Sequence, residues 1–258
     1  MIMKNEIFDI PIEAVSKSTI REKIKKYLFQ SDGKGDLIHI VSLNAENIII
    51  AERDRKFRQV LATAQIKITD SVGVALAGRL LGVDVGERIA GVDLMEDFFD
   101  MASYERLRIV LIGGKKKVAE RVVQCQKQRH PDLNCIGIEG IADIHKPTAK
   151  EEKNIYSIVL EKKPNLVFVA FGSPFQELWI DRHRDLFHGM VCMGVGGAFD
   201  YLSYDVPRAP RIVIRIGGEW IFRLCIQPWR IRRQLRLFSF IILVAKKYFL
   251  LLFKKISS

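Results

Sequence analysis

Asp70 ends the β-branched run "QIKITDS" (Gln65–Ser71) and stands directly before the helical pattern "VGVALAGRLLG". A carboxylate at the carboxyl end of a strand is where a general base would be placed. Asp and Ser are also preferred helix N-caps, so the same position reads as structural. In "LIGGKKKVAE", Gly113 and Gly114 lie between a strand and a helix, where free N–H groups and the helix dipole favour phosphate. The stretch is neither GxGxxG nor a Walker loop, so it supports neither a dinucleotide nor a kinase reading. "GVGGAFDYL" offers a second such turn, with Gly196 and Gly197 ahead of Asp200. Asp200 could accept from a ribose or from base N–H groups, or serve as a cap or local ion pair. The glycines of both turns also have a purely steric explanation.

Other chemistries find no footing. The five histidines show no HExxH or other ligand spacing, and "DRHRDLFH" reads as a solvated helix face. No Asp-x-Asp pair occurs, so neither a metal nor another cofactor is indicated. No G-x-S-x-G elbow is present. Cys125, Cys135, Cys192 and Cys225 are scattered and read as buried free thiols of a reducing compartment. The N-terminus lacks the apolar core of a secretory signal, which puts the protein on the cytoplasmic side.

Stepping along the chain, "DLIHIVSLN", "QIKITDS", "LRIVLIGG", "NLVFVAFGS" and "GMVCMGVGG" are strand-like runs, and the first four each lead into a helical pattern. The expected helices include one over 45–63 and one opening at the lysines 115–117, while "ADIHKPTAKEEK" (Ala142–Lys153) reads as a surface connection. This alternation predicts an α/β fold with a mainly parallel sheet. Ligands of such sheets bind beyond the carboxyl ends of the strands. That rule selects Ser42–Asn44, Asp70–Gly73, Gly113–Gly114, Gly172–Gln176 and Gly194–Asp200, a convergence suited to a nucleotide or sugar phosphate.

The chain has 258 residues, 48% hydrophobic and 28% charged, with a net charge of +11. Twelve Lys and Arg fall within Val206–Ser258 against one acid, Glu219, which leaves 29 basic and 29 acidic residues in the body. All the excess charge is in the tail, which points to a phosphate-bearing partner, lipid or nucleic acid. In the tail, Ile231, Leu235, Phe238 and Ile242 share one helical face, and Arg232, Arg233 and Arg236 lie on or near the opposite one. This is the pattern of a helix lying in a membrane interface. A span needs about 20 apolar residues, whereas Leu237–Phe253 supplies 17 positions broken by Ser239, Lys246 and Lys247. The division expected is a catalytic domain over 1–205 and a basic amphipathic appendage over 206–258.

The ordered blocks "SLNAE", "ITDSVGVALAGRLLG", "ERIAGVDL", "LIGG", "FGSPFQELW", "GVGGAFDYL", "RAP" and "GEWIFRLCIQPWRIRR" resemble the WecG/TagA/CpsF family of bacterial glycosyltransferases, from about Ile38 to Arg233. The resemblance implies a Rossmann-like domain with a basic helical C-terminal appendage that binds the membrane. It also implies metal-independent, inverting transfer of an N-acetylmannosamine-type sugar, or its uronic acid form, from UDP. The acceptor implied is polyprenyl-diphosphate-linked N-acetylglucosamine, for a cell-surface polysaccharide made at the cytoplasmic face of the bacterial inner membrane.

Under this resemblance Asp70 is the base, with Ser42, Asn44 and Gln176 beside it. Gly113, Gly114, Gly196, Gly197, Asp200 and Arg88 would bind the substrate or its nucleotide, and Arg208, Arg223, Arg230 and Arg233 the diphosphates and lipid acceptor. The partners implied are a UDP-sugar, the lipid-linked acceptor and an anionic membrane surface, without nucleic acid and with self-association left open. The chain departs from the family pattern at Ser42 for Thr, Ser71 for Gly, Ser203–Tyr204 for "AG" and Gln227 for Glu. Two rivals stay open: a family member using another donor, such as UDP-glucose, and a nucleotide- or nucleic-acid-binding protein with a basic arm.

Overall fold

The computed structural model describes residues 5–30, 35–215, 217–228 and 231–256, without the side chains of 211, 232–234 and 254–256. A small antiparallel pair, β1 (Glu6–Ile7) and β2 (Ile10–Pro11), precedes α1 (Lys17–Gln30). Then follow β3 (Ile38–Leu43), α2 (Ala45–Arg53), α3 (Arg55–Thr63), β4 (Ile66–Thr69), α4 (Val72–Leu81) and α5 (Gly91–Tyr104). The middle comprises β5 (Ile109–Gly113), α6 (Val118–Arg129), β6 (Cys135–Ile138), α7 (Ala149–Lys162), β7 (Leu166–Ala170) and α8 (Phe175–Arg182). A 3₁₀ turn, Arg184–Phe187, leads to β8 (Val191–Gly194) and α9 (Ala198–Leu202). The chain ends in α10 (Arg211–Arg215), α11 (Glu219–Ile226) and α12 (Ile231–Ile256).

Among the described residues β3 to β8 form one parallel six-stranded sheet in the order β4-β3-β8-β7-β5-β6. A parallel sheet must be covered on both faces, and alternate side chains divide between them. Ile40, Ile68, Leu111, Phe168 and Met193 meet α5, α6 and α9 on one face, where Phe98 and Phe99 flank Phe168 at 6.2 and 5.9 Å. On the other face Val41 and Leu43 pack with α2, α3, α4 and α12, and Val110, Ile112, Val167 and Val169 with α7 and α8. Connections stepping toward β4 cross this second face and those stepping toward β6 cross the first, which keeps every crossover of the same hand.

Local chemistry sets several boundaries differently from the sequence pattern. The single helix expected over 45–63 is two, because Asp54 accepts from Phe57 N–H at 3.0 Å and its own N–H closes on Ile50 at 2.8 Å. The connection expected over 142–153 is partly helix: Thr148 and Glu151 form a capping box that starts α7. α6 begins at Val118 rather than at the lysines, since Lys117 takes φ +61°. His183 is not on a solvated face; its Nδ1 lies 2.8 Å from the Trp179 carbonyl and its ring meets Tyr156 edge-on at 5.4 Å. Among the thiols, Cys135 and Cys192 are buried, Cys125 is half-buried and Cys225 is exposed.

β4 is an edge strand, and the segment after α4 runs along its free side. Thr69 pairs with Arg88 in an isolated parallel bridge, Ile89 N–H bonds to Thr69 O at 2.9 Å, and Thr69 Oγ1 donates to Val85 O at 2.7 Å. α12 returns to the body through Phe240, which is 2% exposed and meets Phe8 edge-on at 5.8 Å. An Arg236–Glu46 ion pair joins the same helix to α2.

Candidate active site

Asp70 follows β4, with its N–H bonded to Leu43 O at 3.1 Å. The two helix-cap candidates divide the work. Ser71 Oγ accepts from Val74 N–H at 3.3 Å and caps α4. Asp70 Oδ1 instead accepts from Gly91 N–H at 3.1 Å, and among the described residues no other hydrogen bond reaches this carboxyl. Burial pushes the Asp70 carboxyl up to about 6. The Gly91 bond and Arg88 oppose that shift, and Glu219 and Asp93 reinforce it. A carboxyl so tuned can take a proton near neutrality.

The neighbouring strand end supplies hydroxyl and amide. Ser42 is 9% exposed, and a Cβ built on Gly91 would stand 3.6 Å from its Oγ, so Ser42, Gly91 and Asp70 form one corner. Asn44 Oδ1 accepts from Asn47 N–H at 2.9 Å and caps α2, while buried Asn47 donates to Ser42 O at 2.8 Å. Asn44 is thus tied to its own turn by its oxygen.

Charges gather around this corner. Arg208 reaches Asp93 in the first turn of α5 at 2.5 Å and Glu96 at 3.9 Å. Glu219, at the start of α11, acts electrostatically on both Asp70 and Arg208. The turn before it explains the placement: Gly217, at φ +78°, lies so close to Val72 that an added Cβ would be 2.7 Å from it. Val72 is two residues from Asp70, so the α10–α11 turn sits against the mouth of the site. Sequence reasoning missed both Gly91 and Glu219. The available signal for Glu219 was its being the single acid of the basic tail.

Further along the strand ends, Gln176 is buried and its amide joins two loops. Its Oε1 accepts from Gly172 N–H at 3.1 Å and Gly196 N–H at 2.9 Å, and its Nε2 donates to Glu177 Oε1 at 2.8 Å. Glu177 is itself fully buried, which pushes its carboxyl upward, and Ser173 Oγ donates to it at 2.8 Å. Gln176 therefore fixes the turns after β7 and β8 relative to each other. Gly113 and Gly114 take φ +94° and +83°. An added Cβ would lie 2.9 Å from Phe171 at the first and 3.3 Å from Phe199 at the second. The exposed Lys115, Lys116 and Lys117 follow at once.

Asp200 is engaged with the tail rather than left open. Arg223 Nη2 donates to Asp200 Oδ2 at 3.1 Å and to Gly197 O at 3.3 Å, Nε donates to Gln227 Oε1 at 3.3 Å, and the guanidinium lies 4.5 Å over the Tyr201 ring. The side chains of this ion pair are 15% and 19% exposed. Arg208 and Arg223 are thus both paired with acids, whereas Arg230 and the side chain of Arg233 lie outside the described residues. Among the described residues no three His, Cys, Asp or Glu side chains gather as a metal site would require.

The strand-end residues therefore make one continuous rim, with a tuned carboxyl at one end, small-residue turns at the other and arginines brought in from the tail. Comparison with known proteins agrees with a transfer enzyme. The chain is 34% identical over 209 residues to the N-acetylglucosaminyldiphosphoundecaprenol N-acetyl-beta-D-mannosaminyltransferase of Bacillus subtilis (strain 168), covering 81% of this chain and 79% of that one. The protein of the same description from Bacillus spizizenii is 34% identical over 220 residues, 85% of this chain and 82% of that one. The model of the Glycosyl transferase WecG/TagA/CpsF family matches residues 5–252, and the chain belongs to that family of glycosyltransferases.

Proposed function

We propose that this protein transfers an N-acetylmannosamine-type sugar from UDP to N-acetylglucosamine carried on a polyprenyl diphosphate, without a metal and with inversion at the anomeric carbon. The observation that carries the reading is Asp70: a carboxyl at a strand end, held on one oxygen by Gly91 and pushed up to about 6 by its surroundings. Asp70 takes the proton of the acceptor hydroxyl as that oxygen bonds to the anomeric carbon from the face opposite the nucleotide. The bond from that carbon to the diphosphate oxygen breaks, and its electron pair leaves with UDP. Ser42 and Asn44 border the sugar. The turn at Gly196–Gly197, held by Gln176 through Gly196 N–H, and the turn at Gly113–Gly114, with Lys115–Lys117 after it, take the nucleotide, while Arg88, paired beside β4, stands at the Asp70 end of the rim. The lack of an Asp-x-Asp pair in the sequence supports charge compensation by cations such as Arg208, Arg230 and Arg233.

The same reading puts the reaction at a membrane. Ile231, Leu235, Phe238 and Ile242 of α12 are 52–68% exposed, as an apolar face prepared for lipid would be. No helix among the described residues is long and apolar enough to cross a bilayer. A surface-lying appendage at the cytoplasmic leaflet fits these features.

The test incubates the purified chain with polyprenyl-diphosphate-N-acetylglucosamine, vesicles and a panel of UDP-sugars, with products read by mass. One hexosamine should be added from the N-acetylmannosamine donor. D70N should lower kcat by about 10²- to 10⁴-fold, the usual worth of a positioned base. Absence of product from every donor overturns the transferase reading, and a fully active D70N protein removes Asp70 as base.

A further inference from the structure

Arg223 is held from several sides. Asp200, the Gly197 carbonyl, Gln227 and the face of Tyr201 all contact its guanidinium, and Gln227 is itself buried at the end of α11. Every one of these partners except Gln227 belongs to the β8–α9 region of the body. The contact fastens α11 at its middle, while Gly217 fits against Val72 just before its start. A short helix fixed at those two places has no freedom to carry Glu219 away from the Asp70 corner.

We propose that Asp200 and Arg223 are positioning residues: their ion pair latches α11 over the sheet end and so keeps Glu219 beside Asp70. The inference rests on Asp70 being the base, but the latch itself is a claim about α11. Gly197 belongs to the device. Its backbone, at φ −84°, would accept alanine without strain, yet an added Cβ would lie 2.3 Å from Arg223 Nη2. The glycine leaves room for the guanidinium, and G197A would unseat it without altering any charge.

The groups facing Asp70 give the latch a chemical readout. Glu219 on α11 and Asp93 on α5 hold its proton, Arg88 on the preceding loop favours its release, and burial disfavours the anion. Loosening α11 removes the Glu219 charge and admits water. Both changes lower the pKa of Asp70, so the acid limb of the rate profile should move to lower pH. A purely structural contact elsewhere would not move that limb.

The experiment follows D200N, R223Q, the double variant and G197A by amide hydrogen exchange and by steady-state transfer. Exchange across Glu219–Ile226 should quicken roughly tenfold or more in each single variant, with the strands of the sheet unchanged. Turnover should fall by about tenfold at constant donor KM, and the double variant should be no worse than the more damaged single one. Losses that multiply overturn the latch, as does a raised donor KM with exchange in α11 unchanged; either would make these residues separate ligands of the substrates. Exchange needs no turnover. If the wild-type chain moves no sugar, the transferase reading falls while the exchange cycle still decides the latch.

Discussion

A carboxyl pushed up to about 6 binds its proton more tightly in the folded chain than in the unfolded one, whose Asp titrates near 3.8. Between those values the native state holds the extra proton, so stability falls as pH rises through this window and does not recover above it. The ionised Asp70 is therefore a cost to the fold at neutral pH. D70N, which still offers an oxygen to Gly91 N–H, should be more stable than wild type at pH 8 by about 2 kcal/mol. The gain should vanish toward pH 4, as measured by urea unfolding across pH; an equal difference at both ends would contradict the assignment. At this scale the sequence was informative about residue type and silent about partner. The pair Asp70–Ser71 announced a cap and a carboxylate, but only the closeness of Gly91 decides which residue does which. Asp200 shows the same limit, because nothing in "GVGGAFDYL" points to Arg223.

Elements were legible where periodicity was strong. The five strand ends selected by small and polar residues all lie at carboxyl ends of one sheet, since β3, β4, β5, β7 and β8 have the apolar content of two-sided burial. β6 escaped notice because "CIGI" is a four-residue edge strand with glycine inside it. The break between α2 and α3 was hidden because Asp54 suits a helix surface as well as a cap. α12 was readable as a helix, but its inward side was not. Phe240 and Val244 face the body, while the residues of the opposite stripe remain exposed. Phe240 should dominate this docking: F240A removes an aromatic buried against Phe8 and next to Gly73, at a cost of about 3 kcal/mol. That corresponds to roughly 100-fold faster amide exchange along α12. The strands should keep their protection, and unchanged exchange in α12 would show that its contacts lie elsewhere.

For the molecule as a whole, the charge asymmetry was plain in the sequence, whereas the return of the tail to the strand ends was not. Gly217 against Val72, Arg223 against Asp200 and Arg236 against Glu46 are contacts between distant segments, which leave no periodic mark. Membrane association is testable at this scale. L235S/F238S/I242S changes three exposed side chains, so folding should be intact. Vesicles containing anionic phosphatidylglycerol should nevertheless retain it about 100-fold less well than wild type, since each lost apolar group is worth more than 1 kcal/mol of burial. Equal sedimentation of both proteins with the vesicles would refute the lipid role of this stripe. One last feature bears on how copies of the chain coexist. Val85–Ile89, lying along β4, occupies backbone groups that an uncovered edge strand would present to a second molecule. The strip that brings Arg88 toward Asp70 is thus also a guard against sheet-to-sheet aggregation. Variants that loosen it should therefore be judged by light scattering before any loss of turnover is ascribed to chemistry.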